Sequence, residues 1–577
     1  MNRIITVVLF ICVFFIASCA SVPKQVEQSS SPTPAHTEKA VISPGVADPL
    51  LYYNYLMAQY FRSEGYIEEA IKHYKIATTL DPDSLMLRFD LTTLLVEAAR
   101  YDEAKQECVE IIKKDPRNLD AHLLLAAIYT TVNDKAAAIE EYKAMLTLNP
   151  EYEEAYIYLN SLYCELKDYE KAKQNLNEYV KIKPHSPTPY FYMGRLYSQE
   201  KEYKKAEKAY LKALELDPRN ESLLMELAVF YEMQKDAGKA IETYKKILSF
   251  YPSHVGARSS LGRLYISEDK LEEALIQYKQ LENLVDNTDQ VRLRMGLIFL
   301  EQKKYDEAMR EFTTILARDP VNDKARYYLA LVYEEKGELK RSLAELEKIP
   351  RESSVFTEAR IHMGYIHERQ NQVDKAIELI EETLKVKSDD VILYRFLASL
   401  LEKAKRYEEG IAVLRKALVL NQESEDVYFL LGVLYEKAVK PEESITQMQK
   451  VLQINPENAD ALNYIGYTYA DQGIKLDEAE AMIKKALQLK PQDGYVIDSL
   501  GWVYFKKGEY KKAIKHLEKA MEYSPGDATI LEHLGDAYLK SNAREKALEI
   551  YERALQLDPS RETLKQKMEA LRSSVKE

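Results

Sequence analysis

His367-Glu368 is the pair whose residue types come nearest to a metal-dependent catalytic motif. A zinc-protease helix carries a second histidine four residues after the first, because both imidazoles must reach one metal from the same helix face. Asn371 occupies that position here. His362 lies five residues before His367, a spacing that places the two rings on different faces of a helix. The pattern favours surface or packing roles for both histidines, and we expect no metal site.

Motifs for other reactions are also missing from the sequence. It contains no glycine-rich phosphate loop, no Cys-x-x-Cys pair and no Gly-x-Ser-x-Gly turn. Acidic residues are spread along segments that are typical of exposed helices, so carboxylate pairs identify no acid–base site. No segment outside the repeats described below is long enough for a catalytic domain. We therefore expect no catalytic residues, no cofactor and no enzyme activity.

A 34-residue period organises the chain. Starting at Pro82, the step reaches Pro116, Pro150, Pro184, Pro218, Pro252, Pro320 and Pro456, and after one inserted residue near Ile474 it reaches Pro491, Pro525 and Pro559. The step misses proline at Asp286, Ser354, Ser388 and Gln422. A fixed period of this length is typical of stacked helical repeats. The sequence predicts 15 such units.

Two further columns share the period. Twelve residues before each of these points stands alanine, glycine or serine, from Ala70 to Ala547, and nothing larger occurs. Such a column predicts a close crossing of two helices, where extra methylene groups would cost roughly 1–3 kcal/mol. Twenty-one residues before the proline the residue is mostly tyrosine or phenylalanine, as at Phe61 and Tyr163. We expect these rings to fill the space between neighbouring helix pairs.

These columns at a 34-residue spacing resemble the tetratricopeptide repeat. The resemblance extends from Pro49 to Pro559 and implies an all-α fold, a right-handed superhelix (α-solenoid) of about 15 helix–turn–helix repeats. Several repeats carry glycine or asparagine at one equivalent position, as at Gly65 and Asn133. We expect this position to be the turn between the two helices, since both residues tolerate the left-handed conformation that ends a helix. Residues 49–559 form the predicted repeat array, and residues 560–577 form a charged capping helix and tail.

Charge and cysteine content limit the possible partners. The formal net charge is −13, and 30% of the residues are charged. Nucleic-acid binders usually show a basic face or a basic total, so we expect no nucleic-acid partner. Cys108 occupies a column that should be buried, and Cys164 belongs to a different repeat. Their positions make a disulfide between them implausible.

Residues 1–19 predict export and lipidation. Ile4 to Ile16 form an apolar run that is too short for an ordinary membrane span and has the length of a signal peptide. Ile16-Ala17-Ser18-Cys19 resembles a bacterial lipobox, which implies cleavage after Ser18, acylation (palmitate and diacylglycerol) of Cys19 and residues 1–18 as the signal peptide. An ordinary secretory signal with a chance cysteine is the alternative.

Residues 19–48 would then form a Ser/Pro-rich flexible linker behind the lipidated cysteine. Ala20, rather than an aspartate, follows the cysteine. By the enterobacterial sorting rule this indicates the periplasmic face of the outer membrane. Several acyl chains on one cysteine would give stable anchoring where a single chain would not.

The first helix of each repeat should line a concave surface that binds protein partners. Polar and aromatic residues at positions that packing does not use are the candidates: Tyr55, Gln59, Arg195, Glu232, Arg263, Tyr327, Glu334, Tyr365 and Arg395. In the last three repeats they are Asn463, Tyr467, Asp498, Trp502, Glu532 and Asp536. Trp502 is the single tryptophan of the chain, and tryptophan is enriched among residues that dominate binding energy. The alternative for Trp502 is packing between helices.

A second resemblance concerns the C-terminal repeats. The segments ALNYIGYTYAD (461–471) and IDSLGWVYFKKG (497–508), with the extra residue before Leu476-Asp477-Glu478-Ala479, resemble the C-terminal repeats of proteobacterial outer-membrane tetratricopeptide lipoproteins. One type in that family binds a periplasmic carboxyl-terminal processing protease and delivers peptidoglycan hydrolases to it. The resemblance implies a lipid-anchored adaptor that recruits such a protease and its substrates. The long array and the divergent middle repeats depart from the family pattern.

Two other functions stay open. The chain is also compatible with a structural subunit of an exopolysaccharide synthesis and export machine, or of another envelope assembly complex, in which tetratricopeptide lipoproteins dock on outer-membrane pores. A weaker alternative is a glycosyltransferase-type enzyme that kept only its repeats. Co-purification of an envelope protease, of a pore or of a polysaccharide synthase would separate the first two, and catalysis by the purified chain would support the third.

Overall fold

The computed structural model describes residues 48–576, and Cys19, the predicted signal peptide and nearly all of the predicted linker lie outside them. The described part contains 31 α-helices and no β-strand. The prediction of an all-α fold built from helical hairpins is confirmed. The chain divides into two compact units between Asp286 and Asn287. Asp286 is the first point at which the proline column is interrupted.

The first unit contains seven helical hairpins. Its helices are α1 Pro49–Ser63, α2 Ile67–Leu80, α3 Leu85–Glu97, α4 Tyr101–Lys114, α5 Leu119–Thr131, α6 Lys135–Leu148, α7 Glu153–Glu165, α8 Tyr169–Ile182, α9 Thr188–Gln199, α10 Tyr203–Leu216, α11 Glu221–Met233, α12 Ala237–Phe250, α13 Val255–Ser267 and α14 Leu271–Glu282. Each odd-numbered helix is the first of its repeat and packs against the even-numbered helix that follows.

The second unit contains eight hairpins and a final helix. Its helices are α15 Asp289–Glu301, α16 Tyr305–Arg318, α17 Asp323–Glu335, α18 Leu339–Leu346, α19 Phe356–Arg369, α20 Val373–Val386, α21 Val391–Lys403, α22 Tyr407–Leu420, α23 Glu425–Lys437, α24 Pro441–Ile454, α25 Ala459–Asp471, α26 Leu476–Leu489, α27 Gly494–Lys506, α28 Tyr510–Tyr523, α29 Ala528–Lys540, α30 Arg544–Leu557 and α31 Glu562–Lys576. Within each unit the hairpins stack in sequence order, which is the arrangement of a solenoid.

Asparagine after the proline fixes the start of several first helices. The side-chain oxygen of Asn118 accepts a hydrogen bond from the Ala121 amide at 3.1 Å, and that of Asn458 accepts from the Ala461 amide at 2.9 Å. A side-chain acceptor of this kind satisfies one of the free amides in the first turn and stabilises the helix by about 1 kcal/mol. The Pro-x-Asn sequence thus ends one repeat and begins the next.

The turn between the two helices of a repeat uses the left-handed backbone conformation throughout. Gly65 and Asn133 have φ values of 81° and 61°, as expected from their residue types. The same position has positive φ in repeats where no glycine or asparagine signals it: Ala99, Lys167, Lys201, Lys235, Asp269, Lys303, Lys405 and Val439. The geometry of the repeat therefore overrides residue preference, and Val439 carries the largest strain because its side chain is β-branched.

The small-residue column is buried along the whole described array. Ala70, Ala240 and Ala547 have no exposed surface. Where serine replaces alanine at Ser444, its hydroxyl donates a hydrogen bond to the Gly432 carbonyl oxygen at 2.6 Å, so the polar atom is satisfied. Most rings of the aromatic column are buried as well, including Tyr163. Both columns therefore form the core between hairpins, as the spacing predicted.

The helices and turns are irregular at places where the sequence departs from the 34-residue period. Helix α18 has only eight residues and ends at Leu346, shortly before Pro350. The inserted residue near Ile474 lies between Gly473 and Lys475, which both have positive φ. The final helix α31 occupies Glu562–Lys576 of the segment 560–577. Of the cysteines in the described range, Cys108 is buried, Cys164 is partly buried and both are free.

Candidate functional site

The first helices of the last three repeats carry the six residues that the sequence singled out. Helices α25 and α27 contact each other directly, as do α27 and α29. Equivalent positions on these helices form two short rows along the stack: Asn463, Asp498 and Glu532 in one, and Tyr467, Trp502 and Asp536 in the other. We call the six residues of these two rows together the C-terminal row.

Trp502 lies in the packing between the first helices. Only 7% of its surface is exposed. Its indole stacks on the His533 ring of the next repeat, with centroids 4.0 Å apart, and on Phe505 of its own helix, at 4.6 Å. The indole N–H donates a hydrogen bond to Asp471 Oδ1 of the preceding repeat at 3.1 Å. Trp502 therefore joins three consecutive repeats, in agreement with the packing alternative.

Asp498 is buried and paired with a histidine that the sequence analysis missed. His533 Nδ1 lies 3.0 Å from each carboxylate oxygen of Asp498, and both residues are largely removed from solvent. A buried carboxylate requires such a partner, because its desolvation would otherwise be too costly. The Tyr467 ring also lies near the imidazole of His533, at a centroid distance of 6.2 Å. His533 lies 35 residues after Asp498, which is close to one repeat length. This spacing was the sequence signal that could have identified the pair.

Glu532 and Asp536 are held by cations from the end of the chain. Glu532 accepts hydrogen bonds from Arg561 at 2.8 Å and from Lys567 at 3.0 Å. Burial acts to raise the pKa of Glu532, but the hydrogen bonds from these two cations outweigh it and hold the pKa below its usual range. Asp536 accepts from Lys567 at 2.9 Å and from the Tyr551 hydroxyl at 2.5 Å. Both carboxylates are thus fixed, and each stays partly exposed.

Tyr467 and Asn463 lie on α25 and are the first members of the C-terminal row in chain order. Both are partly buried. Burial raises the pKa of Tyr467, and the nearby carboxylates of Asp471 and Asp498 raise it further. Within the described part of the chain the Asn463 side-chain oxygen is buried and has no hydrogen-bond partner. The repeats themselves thus leave this oxygen of the row unsatisfied.

Another cluster of predicted residues lies on α17, α19 and α21. Glu334 accepts a hydrogen bond from Arg369 at 3.1 Å and lies 3.3 Å from His362 Nδ1. The His362 ring is flanked edge-on by Tyr327 at 5.6 Å and by Tyr365 at 6.2 Å. Tyr365 is 45% exposed, which makes it the most accessible of these rings. Arg395 pairs instead with Asp426 at 2.9 Å.

The predicted residues of the first unit are tied into helix-to-helix contacts. Gln59 donates to the Tyr74 hydroxyl at 2.6 Å, and its amide nitrogen lies 3.4 Å from the Tyr55 hydroxyl. Glu232 accepts from Tyr244 at 2.6 Å and from Arg263 at 2.5 Å. Arg195 lies 3.3 Å from a carboxylate of the next repeat. The contacts of Arg195 and of Glu232 with Arg263 connect neighbouring repeats, and the others join residues of one repeat, so much of this polar face stabilises the stack.

These clusters consist of side chains that form hydrogen bonds and ion pairs. Among the described residues, no group of histidine, cysteine and carboxylate side chains is arranged to hold a metal ion. Within residues 48–576, no helix combines the length and the apolar character that crossing a membrane requires. The C-terminal row, with Lys567 beside it, presents two partly exposed, fixed carboxylates and a partly exposed tyrosine. This arrangement suits hydrogen bonds and ion pairs to a polypeptide laid across the helices.

The sequence matches several models of one family. Models described as tetratricopeptide repeat match residues 61–128, 119–152, 187–220, 222–254, 299–354, 363–425, 429–494 and 504–571, which together make up well over half of the chain. No curated protein sequence is significantly similar to this one.

Solved structures resemble the chain at low sequence identity. One chain in the structure of the APC/C hetero-tetramer Cut9–Hcn1 is 16% identical to this chain. The match covers 84% of this chain and 95% of that chain, with a TM-score of 0.35. Yeast Tom70 is 17% identical, with 74% and 97% covered and a TM-score of 0.34. YrrB, described as a tetratricopeptide repeat protein with an unusual peptide-binding site, is 23% identical, with 34% and 100% covered and a TM-score of 0.28.

Proposed function

The chain belongs to the tetratricopeptide repeat family, and from that premise we propose that it is a lipid-anchored adaptor of the bacterial envelope that recruits a processing protease and its substrates. Repeats of this family form protein–protein interaction scaffolds, and that coarser role holds for this chain. The location, the anchor and the partner are the proposed part.

The state of the C-terminal row is the observation that carries the proposal. Asp498 and Trp502 are buried and fixed by His533, Glu532 and Asp536 are fixed but remain partly exposed, and Tyr467 is partly exposed. A recognition surface whose side chains are already held by neighbours loses little conformational entropy on binding. The row therefore has the properties of a preformed site for a polypeptide.

The same helices support the choice of partner. The two segments that resemble the lipoprotein adaptors, 461–471 and 497–508, form almost all of α25 and α27. These helices contribute Asn463, Tyr467, Asp498 and Trp502 to the row. The resemblance and the row thus coincide in the structure, which favours a partner of the kind those adaptors bind. The apolar run 4–16 and Cys19 support the envelope location and the lipid anchor.

Affinity capture tests this function. The mature protein, immobilised through its C-terminus, is incubated with periplasmic extract of the source bacterium, and bound proteins are identified by mass spectrometry. We expect enrichment of a serine protease together with peptidoglycan hydrolases. Enrichment of an outer-membrane pore or a polysaccharide synthase in its place would favour the export-complex alternative. Capture without any protease would contradict the proposal.

A matched pair of variants locates the site. Glu532→Gln keeps the shape of the side chain but removes the charge that pairs with Arg561 and Lys567. Glu522→Gln makes the same change at an exposed position on the second helix α28. We expect Glu532→Gln to weaken capture several-fold and Glu522→Gln to leave it unchanged. Equal capture by both would remove the C-terminal row from the binding site.

A further inference from the structure

The first helix of the described array presents an unusual apolar face. Four large side chains of α1 project into solvent over more than half of their surface: Tyr52, Tyr53, Leu56 and Tyr60. Leu50 at the start of the helix is exposed to the same degree. We call these five residues the α1 face. The opposite side of the helix, with Asn54 and Ala58, is buried against α2.

Comparison with later repeats shows why this face is bare. Tyr53 and Tyr60 are 55% and 54% exposed, whereas the equivalent Leu87 and Leu94 of α3 are 4% and 0% exposed. In α3 these positions pack against α2, the second helix of the preceding repeat. In α1 no preceding hairpin is present among the described residues. The positions that contact a preceding repeat elsewhere are therefore open here, and they are occupied by tyrosines.

The composition of α1 differs from that of an end cap. Residues 49–61 contain no charged side chain, in a chain that is 30% charged. Terminal repeats of a solenoid normally need a polar outer face for solubility, and α31 at the other end has many charged residues. With about 100° of rotation per residue, the α1 face covers an arc of about 160°. This arc is wider than the apolar stripe of about 100° through which a helix packs on one side.

The sequence ahead of α1 indicates what covers this face. The apolar run 4–16 precedes it, and the intervening chain to Asp48 can span at most about 110 Å. That stretch carries Pro23, Pro32, Pro34 and Pro44, which disfavour a helix able to replace a preceding hairpin. Tyrosine is enriched at membrane–water interfaces, where the ring meets the acyl chains and the hydroxyl stays in water.

We propose that the α1 face lies on the interface of a lipid bilayer, with its tyrosine rings at headgroup depth. An uncharged face in an acidic protein recognises neutral lipid better than an anionic surface, and its binding does not depend on salt. Such contact would orient the repeat array with α1 at the membrane. The inference goes beyond the proposed function and does not depend on acylation of Cys19.

Vesicle binding by a chain that cannot be acylated tests the proposal. The chain from Ala20 onward lacks Cys19 and the apolar run but keeps every described residue. We expect it to co-float with phosphatidylcholine vesicles, with the same affinity at low and high salt. The double variant Leu56→Glu/Tyr60→Glu should bind at least tenfold more weakly. Because both side chains are exposed, the helical content should not change.

The control places the same charges on exposed apolar residues elsewhere. Tyr495 and Val321 are exposed as fully as the α1 residues, and Tyr495→Glu/Val321→Glu should bind vesicles like the unmodified chain. Equal loss in both double variants, or no vesicle binding by the unmodified chain, would overturn the proposal. Pairing of two copies through α1 in solution without vesicle binding would also overturn it, and sedimentation equilibrium would detect it.

A fluorescent probe gives a second measurement that does not rely on loss of binding. Tyr60→Trp adds an exposed indole, while Trp502 is buried and contributes a constant background. We expect its emission to shift to shorter wavelength only when vesicles are added, and brominated phosphatidylcholine to quench it. An emission that is already shifted without vesicles would show that residues 20–47 or a second copy cover the face, and would refute the proposal.

Discussion

Replacing Trp502 separates a packing role from a binding role at the C-terminal row. The indole is 7% exposed and stacks on His533 and Phe505. Truncating a buried aromatic residue to alanine typically costs about 3–5 kcal/mol. Trp502→Ala should therefore destabilise the last three repeats by this amount. Trp502→Phe keeps a stacked ring and loses the hydrogen bond to Asp471, so it should cost about 1–2 kcal/mol.

Hydrogen exchange measured by mass spectrometry provides the assay, because stability in a repeat array is local. A loss of about 3–5 kcal/mol corresponds to an increase in the exchange rate of roughly a hundredfold to a few thousandfold. We expect that increase in α25, α27 and α29 of Trp502→Ala, and no change in the first unit. In the unmodified protein, iodide should quench the single tryptophan poorly, since it is buried.

Partner capture then distinguishes the two roles. If Trp502 acts through packing, Trp502→Phe should retain capture while Trp502→Ala loses it together with local stability. Loss of capture by Trp502→Phe at normal exchange rates would show direct contact with the partner. Unchanged exchange in Trp502→Ala would refute the structural reasoning, because a side chain that joins three repeats cannot be removed without local loosening.

Three further changes test the packing of the repeats. Val439→Asn should raise the free energy of unfolding by about 1 kcal/mol, measured by thermal melting, because asparagine tolerates the φ of 60° that strains valine. Ala240→Val should lower it by about 1–3 kcal/mol, because the column has no room for two methyl groups. Hydrogen bonds from Lys484 and Lys507 lower the pKa of Glu480 to about 2 from 4.5. Since folding lowers this pKa, the ion pairs stabilise the fold above about pH 4.5 and lose their effect as the pH falls toward 2. Glu480→Gln should therefore cost about 1 kcal/mol at pH 7, and the difference from the unmodified protein should vanish near pH 2 in exchange measurements on α26 and α27.

The repeat architecture followed from the sequence because its columns report tight packing. A position that admits nothing larger than serine, as from Ala70 to Ala547, signals a close helix crossing, and the structure buries it. The proline column marks where most second helices end, since proline disfavours helical geometry in the residue before it. The shortened α18 follows from Pro350 in the same way. The left-handed turn at Val439 could not be found from residue type, because the repeat geometry imposes it.

The candidate site was less predictable. The position of a residue on a first helix does not determine whether its side chain is exposed or packs against the neighbouring repeat. Asp498 and Trp502 match the pattern of the predicted binding surface, with packing as the alternative for Trp502, and the structure buries both. Their partner His533 lies one repeat and one residue away, at an offset that only the stacking of α27 on α29 brings into contact. Lys567 became part of the site because the final helix turns its side chain onto Asp536.

In the proposed function, the side chains of the C-terminal row serve stability and recognition together. Glu532 pairs with Arg561 and Lys567, and Asp536 pairs with Lys567, so removing either carboxylate takes one ion-pair partner from these cations. A partner that bears a basic group must therefore compete with the chain's own lysine for these carboxylates. Exchange of one ion pair for another changes little in net energy. Specificity at this row should then come from the shape around Tyr467, while the carboxylates fix the position of the bound chain.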